Sequence, residues 1–255
     1  MTDLIENYNT QYDKNKLGMW LDLSTYCNAK CPQCHRTNAN GLAKADWLPL
    51  IQWSLEEFKN MFPPKTLEHI CHFDICGTWG DPIMNKDIFE IVEYIIDNSN
   101  ANILINTNGS FRNADWWWNL GIISKNRITV MWAIEGITQE QHSLYRQDTS
   151  LDLVLENMEM FSLAGGHSQV FTVTFKHNEN DLYNIAKLSL DKGAKDIFFV
   201  QSNRFYENQK FRFIDKSGIE KVLDRSTKEE SDFYWKTWHL NNEEHLKIIK
   251  DESGN

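Results

Sequence analysis

Cys27, Cys31 and Cys34 fall within eight residues, spaced C-x3-C-x2-C. Three thiolates cannot close a tetrahedral structural site, but they can hold a metal centre with one open position. Lys30, His35 and Arg36 add a local basic patch that suits a small anionic ligand. Duller chemistries use the same residues. Cys27, Cys31, Cys34 and His35 make a possible zinc set, although ligands adjacent in sequence form awkward tetrahedra. Cys31-Pro32-Gln33-Cys34-His35 also matches the haem-attachment pattern C-x-x-C-H, which requires export and leaves Cys27 idle. Plain buried thiols are the general alternative. Three beside Asn, Lys and Pro do not read as a core.

The cysteines need an element to hold them. Trp20-Leu21-Asp22-Leu23-Ser24 alternates apolar and polar residues, as a strand does. Residues 17–24 are a first strand, and a loop to about residue 46 carries the thiols. Ser54-Leu55-Glu56-Glu57 is a capping box that opens a helix through Met61, with Pro63-Pro64 as its stop. Strands follow at 67–76, 102–107, 127–134, 169–175 and 196–201. Helices are expected at 87–98, 113–124, 151–164 and 181–192. Ile88, Ile91, Val92, Ile95 and Ile96 mark the apolar stripe of the first of these. Six strands alternating with helices predict an α/β fold with a parallel sheet and right-handed crossovers. In such folds the active site lies where strands end. Gly80-Asp81-Pro82, Thr107-Asn108-Gly109 and Glu135-Gly136 stand at such ends. So do Lys176, His177 and Asn178 after strand five, and Asn203 and Arg204 after strand six. Those last residues are substrate contacts or ordinary solvated loop polarity.

The chain has 255 residues, a formal net charge of -10 and five cysteines. That length holds one full α/β domain plus an appendage. The acidic balance and the lack of a basic stripe argue against nucleic acid. No apolar run of about 18 residues predicts a membrane span. The polar N-terminus shows no signal peptide. An odd cysteine count with three bunched points to a reducing cytoplasm. Residues 1–16 read as an arm and 17–205 as the core. Residues 206–255 read as a helical tail, with short helices near 216–223 and 242–250 and with Tyr234, Trp235 and Trp238 packing it down. Trp116, Trp117 and Trp118 cannot all face inward on one helix. Cys71 and Cys76 read as small buried residues.

The cysteine motif after a first strand resembles the radical S-adenosylmethionine superfamily, over roughly residues 17–205. That resemblance implies a partial (β/α)6 TIM-like barrel and a [4Fe-4S] cluster on Cys27, Cys31 and Cys34. The open iron of the cluster would chelate S-adenosylmethionine. One electron then cleaves the sulfonium and yields a 5'-deoxyadenosyl radical that takes hydrogen from substrate. Gly80-Asp81-Pro82 matches the family's Gly-Gly-Glu-Pro, which binds the methionine amino group, with Trp79 and Asp81 as departures. Thr107-Asn108-Gly109 matches its Thr-Asn-Gly, and Ala133-Ile134-Glu135-Gly136 resembles its Ser-x-Asp-Gly, with Ala133 in place of the serine and Glu135 in place of the aspartate. Arg146 matches an arginine that pairs with the methionine carboxylate. The resemblance thus assigns Gly80, Asp81, Asn108, Glu135 and Arg146 to the cofactor. Gln33 stands where an aromatic residue usually packs near the adenine.

Within the family, the chain looks most like the peptide-modifying branch with an auxiliary-cluster domain. No cysteine follows Cys76, so a single cluster, or a piece of a longer protein, is expected. The implied substrate is a peptide or protein side chain. The alternatives are a small molecule, activation of a glycyl-radical partner, or a non-catalytic iron-sulfur or zinc module. A flavodoxin or ferredoxin is the implied reductant. Lys176, Asn178 and Asn203 are the substrate candidates.

Overall fold

Strand and helix alternate along the chain as the hydrophobic pattern predicts. The computed structural model describes residues 16–205 and 209–228, and the backbone of Trp238–His239. The strands β1 (Leu17–Leu21), β2 (Ile70–Ile75), β3 (Asn102–Thr107), β4 (Ile128–Ala133), β5 (His167–Thr174) and β6 (Ala194–Gln201) form one sheet in sequence order. All five ladders between them are parallel. Among the described residues no ladder joins β6 back to β1, so the barrel stays open. Instead β9 (Trp238–His239) pairs antiparallel with β6, at Ile197 and Asp196.

The crossovers are α1 (Leu55–Met61), α2 (Pro64–Leu67), α3 (Ile88–Asn98), α4 (Ala114–Ile123), α5 (Gln139–Ser143), α6 (Leu151–Leu163) and α7 (Leu182–Asp191). The capping box of α1 is intact: Ser54 accepts from the Glu57 N–H, and Glu57 accepts from the Ser54 N–H. Pro63-Pro64 does end α1, but Pro64 then opens α2, because proline suits the first helical position. Alternate strand residues are fully buried against the helices in one core. Trp117, for example, packs 4.5 Å from Trp132 between ring centroids. Trp116 lies half-buried against Phe89, and Trp118 is 38% exposed, so one tryptophan of the run does face outward. The opposite sheet face, with Asp74, Asn106, Met131, Phe171 and Phe198, is only half-buried.

The appendage departs from expectation. Residues 216–223 are not helical: β7 (Lys210–Ile214) and β8 (Glu220–Asp224) form an antiparallel hairpin. Phe211 and Phe213 alternate with charged residues, a period of two rather than 3.6. The turn between them is held by Asp215, whose Oδ1 accepts from the Ser217 and Ile219 N–H groups, and Gly218 takes a positive φ. Phe213 and Leu223 pack with Ala29, Cys31, Leu42, Tyr145 and Phe175 in a second core. The hairpin therefore covers the cysteine loop. The expected 242–250 helix, Tyr234, Trp235 and nearly all of the 1–16 arm lie outside the described residues. Of Trp238 only the backbone is described, in its pairing with Ile197.

Candidate functional site

The loops after β1 and β2 are stitched together before any thiol is placed. Asp22 accepts from the Thr78 N–H at 3.0 Å and the Trp79 N–H at 3.3 Å. Gly80 sits so close to the start of the cysteine loop that a Cβ there would fall 2.2 Å from the Ser24 carbonyl oxygen. That packing explains why Gly80 stays glycine while its neighbour is Trp79. The Asp81 N–H donates to the Tyr26 carbonyl at 2.7 Å, and Arg36 donates to the Thr25 and Trp79 carbonyls.

Two strand ends then aim donors at the sulfurs. Asn108 Nδ2 lies 3.8 Å from Cys27 Sγ, and Arg146 Nη1 lies 3.5 Å from Cys31 Sγ. Burial pushes the Cys31 thiol up to about 11, with Arg146 pulling against it. Burial also pushes the Cys27 thiol up, and Asp81 adds to this. Such thiols become thiolates when a metal replaces the proton. The three cysteines are free and share one packed neighbourhood. Among the described residues no group of three or more His, Cys, Asp or Glu side chains is arranged for a single metal ion. His35 is exposed beside Trp79. The donor set fits a larger cluster: three thiols from one short loop, and N–H groups directed at two of them.

Of the residues assigned to the cofactor, the two carboxylates are spent inside the protein. Asp81 is 4% exposed. It accepts from the Asn108 N–H at 2.8 Å, Asn108 Nδ2 at 2.5 Å, the Thr107 hydroxyl at 2.9 Å and the Ile83 N–H at 3.2 Å. Burial raises its pKa, and these bonds oppose the rise. Its work is to set the Thr107-Asn108-Gly109 turn. Gly109 adopts φ +73 there, and a Cβ would meet Trp132 at 2.7 Å. Asn108 Nδ2 also donates to Asn28 at 2.9 Å, which ties β3 to the cysteine loop. Glu135 is fully buried. Its two oxygens take a fork from Arg146, Nε at 2.8 Å and Nη2 at 2.7 Å. The Arg146 side chain is 17% exposed, so its outer edge still reaches the site.

His142 completes this corner. Its Nδ1 accepts from the Glu135 N–H at 3.3 Å. The Thr149 hydroxyl donates to the Arg146 carbonyl, so it must accept from His142 Nε2 at 3.1 Å. Those partners require a neutral ring. Burial agrees, lowering the His142 pKa to about 4 with Glu135 pulling the other way and Arg146 adding to the fall.

Gln33 is buried and clasps the end of β6: it donates to the Arg204 carbonyl at 3.1 Å and accepts from Ser202 at 2.8 Å. Asn178 is fully buried, with its amide donating to the Glu135 and Val173 carbonyls. It is part of the frame. Lys176 is exposed and pairs with Glu179 at 2.5 Å; Asn203 is exposed. Sequence reasoning passed over Asp22, Asn28 and His142. Asp22 carried a signal, as a charged residue one step from the end of a strand. His142 carried none, because its contact with Glu135 depends on the turn that α5 makes.

No protein-family model matches the chain, and no curated protein does. Solved structures do. One is anSMEcpe with bound AdoMet, at TM-score 0.58 and 20% identity, covering 73% of this chain and 50% of that one. Another is Streptococcus suis SuiB bound to S-adenosylmethionine, at TM-score 0.58 and 14% identity, covering 78% and 44%. The chain shares the fold of these structures, an α/β sheet of six parallel strands with helices between them. Two further matches are anSMEcpe with AdoMet and the Cp18Cys peptide, and SuiB with its precursor peptide SuiA, at TM-score 0.57 each and 20% and 13% identity. They cover 75% and 78% of this chain, and 52% and 42% of theirs. The chain thus spans about half the length of the structures it matches. Among the described residues no helix is long and apolar enough to cross a membrane.

Proposed function

We propose that this chain is a radical S-adenosylmethionine enzyme that binds a [4Fe-4S] cluster on Cys27, Cys31 and Cys34. One observation carries the reading. A three-thiol loop at the end of β1 receives N–H groups from Asn108 and Arg146, on the fold in which other chains bind S-adenosylmethionine. Bound together, cluster and S-adenosylmethionine supply one-electron sulfonium cleavage and hydrogen-atom abstraction.

This chain's own residues do the rest. Cys27, Cys31 and Cys34 would hold the cluster through their three thiolates. The loop at Gly80 offers backbone groups to an ammonium, while Asp81 holds Asn108 in place. Arg146 presents its exposed edge to a carboxylate. The hairpin side chains Phe213 and Leu223 keep water from the cysteine loop. A peptide or protein side chain is the proposed substrate, since matched structures hold peptides. Lys176 and Asn203, both exposed after β5 and β6, are the proposed contacts. A small one-electron carrier such as flavodoxin or ferredoxin is the proposed reductant.

Anaerobic reconstitution tests this. The full chain is expected to bind about four iron and four sulfide and, once reduced, to release methionine from S-adenosylmethionine. Cys34→Ala is expected to abolish both. Failure of the parent chain to bind iron and sulfide, or release that survives in Cys34→Ala, refutes the proposal.

A further inference from the structure

The Arg146 guanidinium has five N–H groups. Nε and Nη2 each give one to Glu135, and Nη1 gives one to Cys31 Sγ at 3.5 Å. Two remain for a ligand. The fork to Glu135 fixes where Nη1 points, because both Glu135 oxygens are engaged and the side chain is fully buried. Glu135 is itself held from behind, where its backbone N–H donates to His142 and its carbonyl accepts from Asn178. An arginine used only to grip a mobile ligand needs no such frame, nor a bond to a thiol.

We infer that Arg146, aimed by Glu135, tunes the reduction potential of the cluster through the Cys31 sulfur. The inference rests on the radical S-adenosylmethionine reading above. Reduction adds one electron to the cluster, and the charge spreads onto the thiolate sulfurs. A charged N–H donor at one sulfur stabilises that added charge and raises the potential. Glu135 lies on the far side of the guanidinium from Cys31, so the pair presents its positive end to the sulfur. Glu135 is a positioning residue, and its negative charge partly offsets the arginine.

The test is an EPR-monitored redox titration of the reconstituted full chain without S-adenosylmethionine, so that ligand binding does not enter. Arg146→Met is expected to lower the reduced-to-oxidised ratio at a fixed potential at least tenfold, about 59 mV for one electron. Arg146→Lys keeps the charge but cannot serve Glu135 and Cys31 together, and a smaller fall is expected. If Arg146→Met does not hold a cluster, Arg146→Lys carries the test. A ratio within twofold of the parent in the arginine variant that holds a full cluster overturns the inference. A parent chain that binds no cluster fails the function proposal instead, and iron and sulfide analysis separates the two.

Discussion

Asp81→Asn changes one atom in a site where all partners are donors. Oδ1 receives the Ile83 N–H and the Thr107 hydroxyl; Oδ2 receives the Asn108 N–H and Nδ2. An amide must turn its NH2 toward one pair. Facing Asn108, it strands two N–H groups at once. The cheaper choice faces Ile83, where the longest bond, at 3.2 Å, is lost and Thr107 can rotate to accept. One buried N–H left unpaired costs about 1–3 kcal/mol. The two bonds kept from Asn108 lose their charge assistance, about 1 kcal/mol each. The neutral amide recovers part of this, because burial disfavours the Asp81 charge. The net expectation is a loss of about 2–4 kcal/mol in urea unfolding of the cluster-free chain, followed by circular dichroism. Asp81→Glu adds a methylene to a buried, fully bonded site and is expected to cost about 1–3 kcal/mol. A loss below about 1 kcal/mol for Asp81→Asn would mean that Asp81 does not order the Asn108 turn.

Two further outcomes concern His142 and the hairpin. The folded pKa of His142 is about 4, below an unfolded value of about 6.5. The unfolded chain therefore binds more protons between those values, and stability falls as pH falls through that window, by up to about 3 kcal/mol. Asp74 works in the opposite sense, since burial raises its pKa to about 6. The His142 effect is thus read as a difference: between pH 7 and pH 4, His142→Gln is expected to lose less stability than the parent, and equal slopes would refute a neutral native ring. Phe213→Ala, in the core that covers Cys31, is expected to cost about 3–5 kcal/mol and to speed thiol labelling of Cys31. Unchanged labelling would mean that the hairpin does not shield the loop.

Much of the barrel was legible because its strands are short apolar runs bounded by glycine and polar turns. The expected ranges of β3 and of the α1 capping box coincide with the structure. The hairpin was not legible, because Lys210, Arg212, Glu220 and Lys221 dilute its alternation and a charged run reads as a solvated helix. The three thiols and their loop could be read directly from spacing. The roles of Asp81 and Glu135 could not. A motif places a carboxylate at a strand end, but whether it faces a ligand or its own neighbours depends on Asn108 and Arg146, which arrive from elsewhere in the chain.

The hairpin also sets an order in time. Phe213 and Leu223 close over Ala29 and Cys31, yet they leave the ribosome long after them. At typical synthesis rates of about 5–20 residues per second, that delay is on the order of ten to forty seconds. Until it has passed, the three thiols lack their apolar cover. A cluster inserted into the nascent chain would sit open to water and oxygen. Maturation of this site belongs after the hairpin has emerged and closed over the cysteine loop.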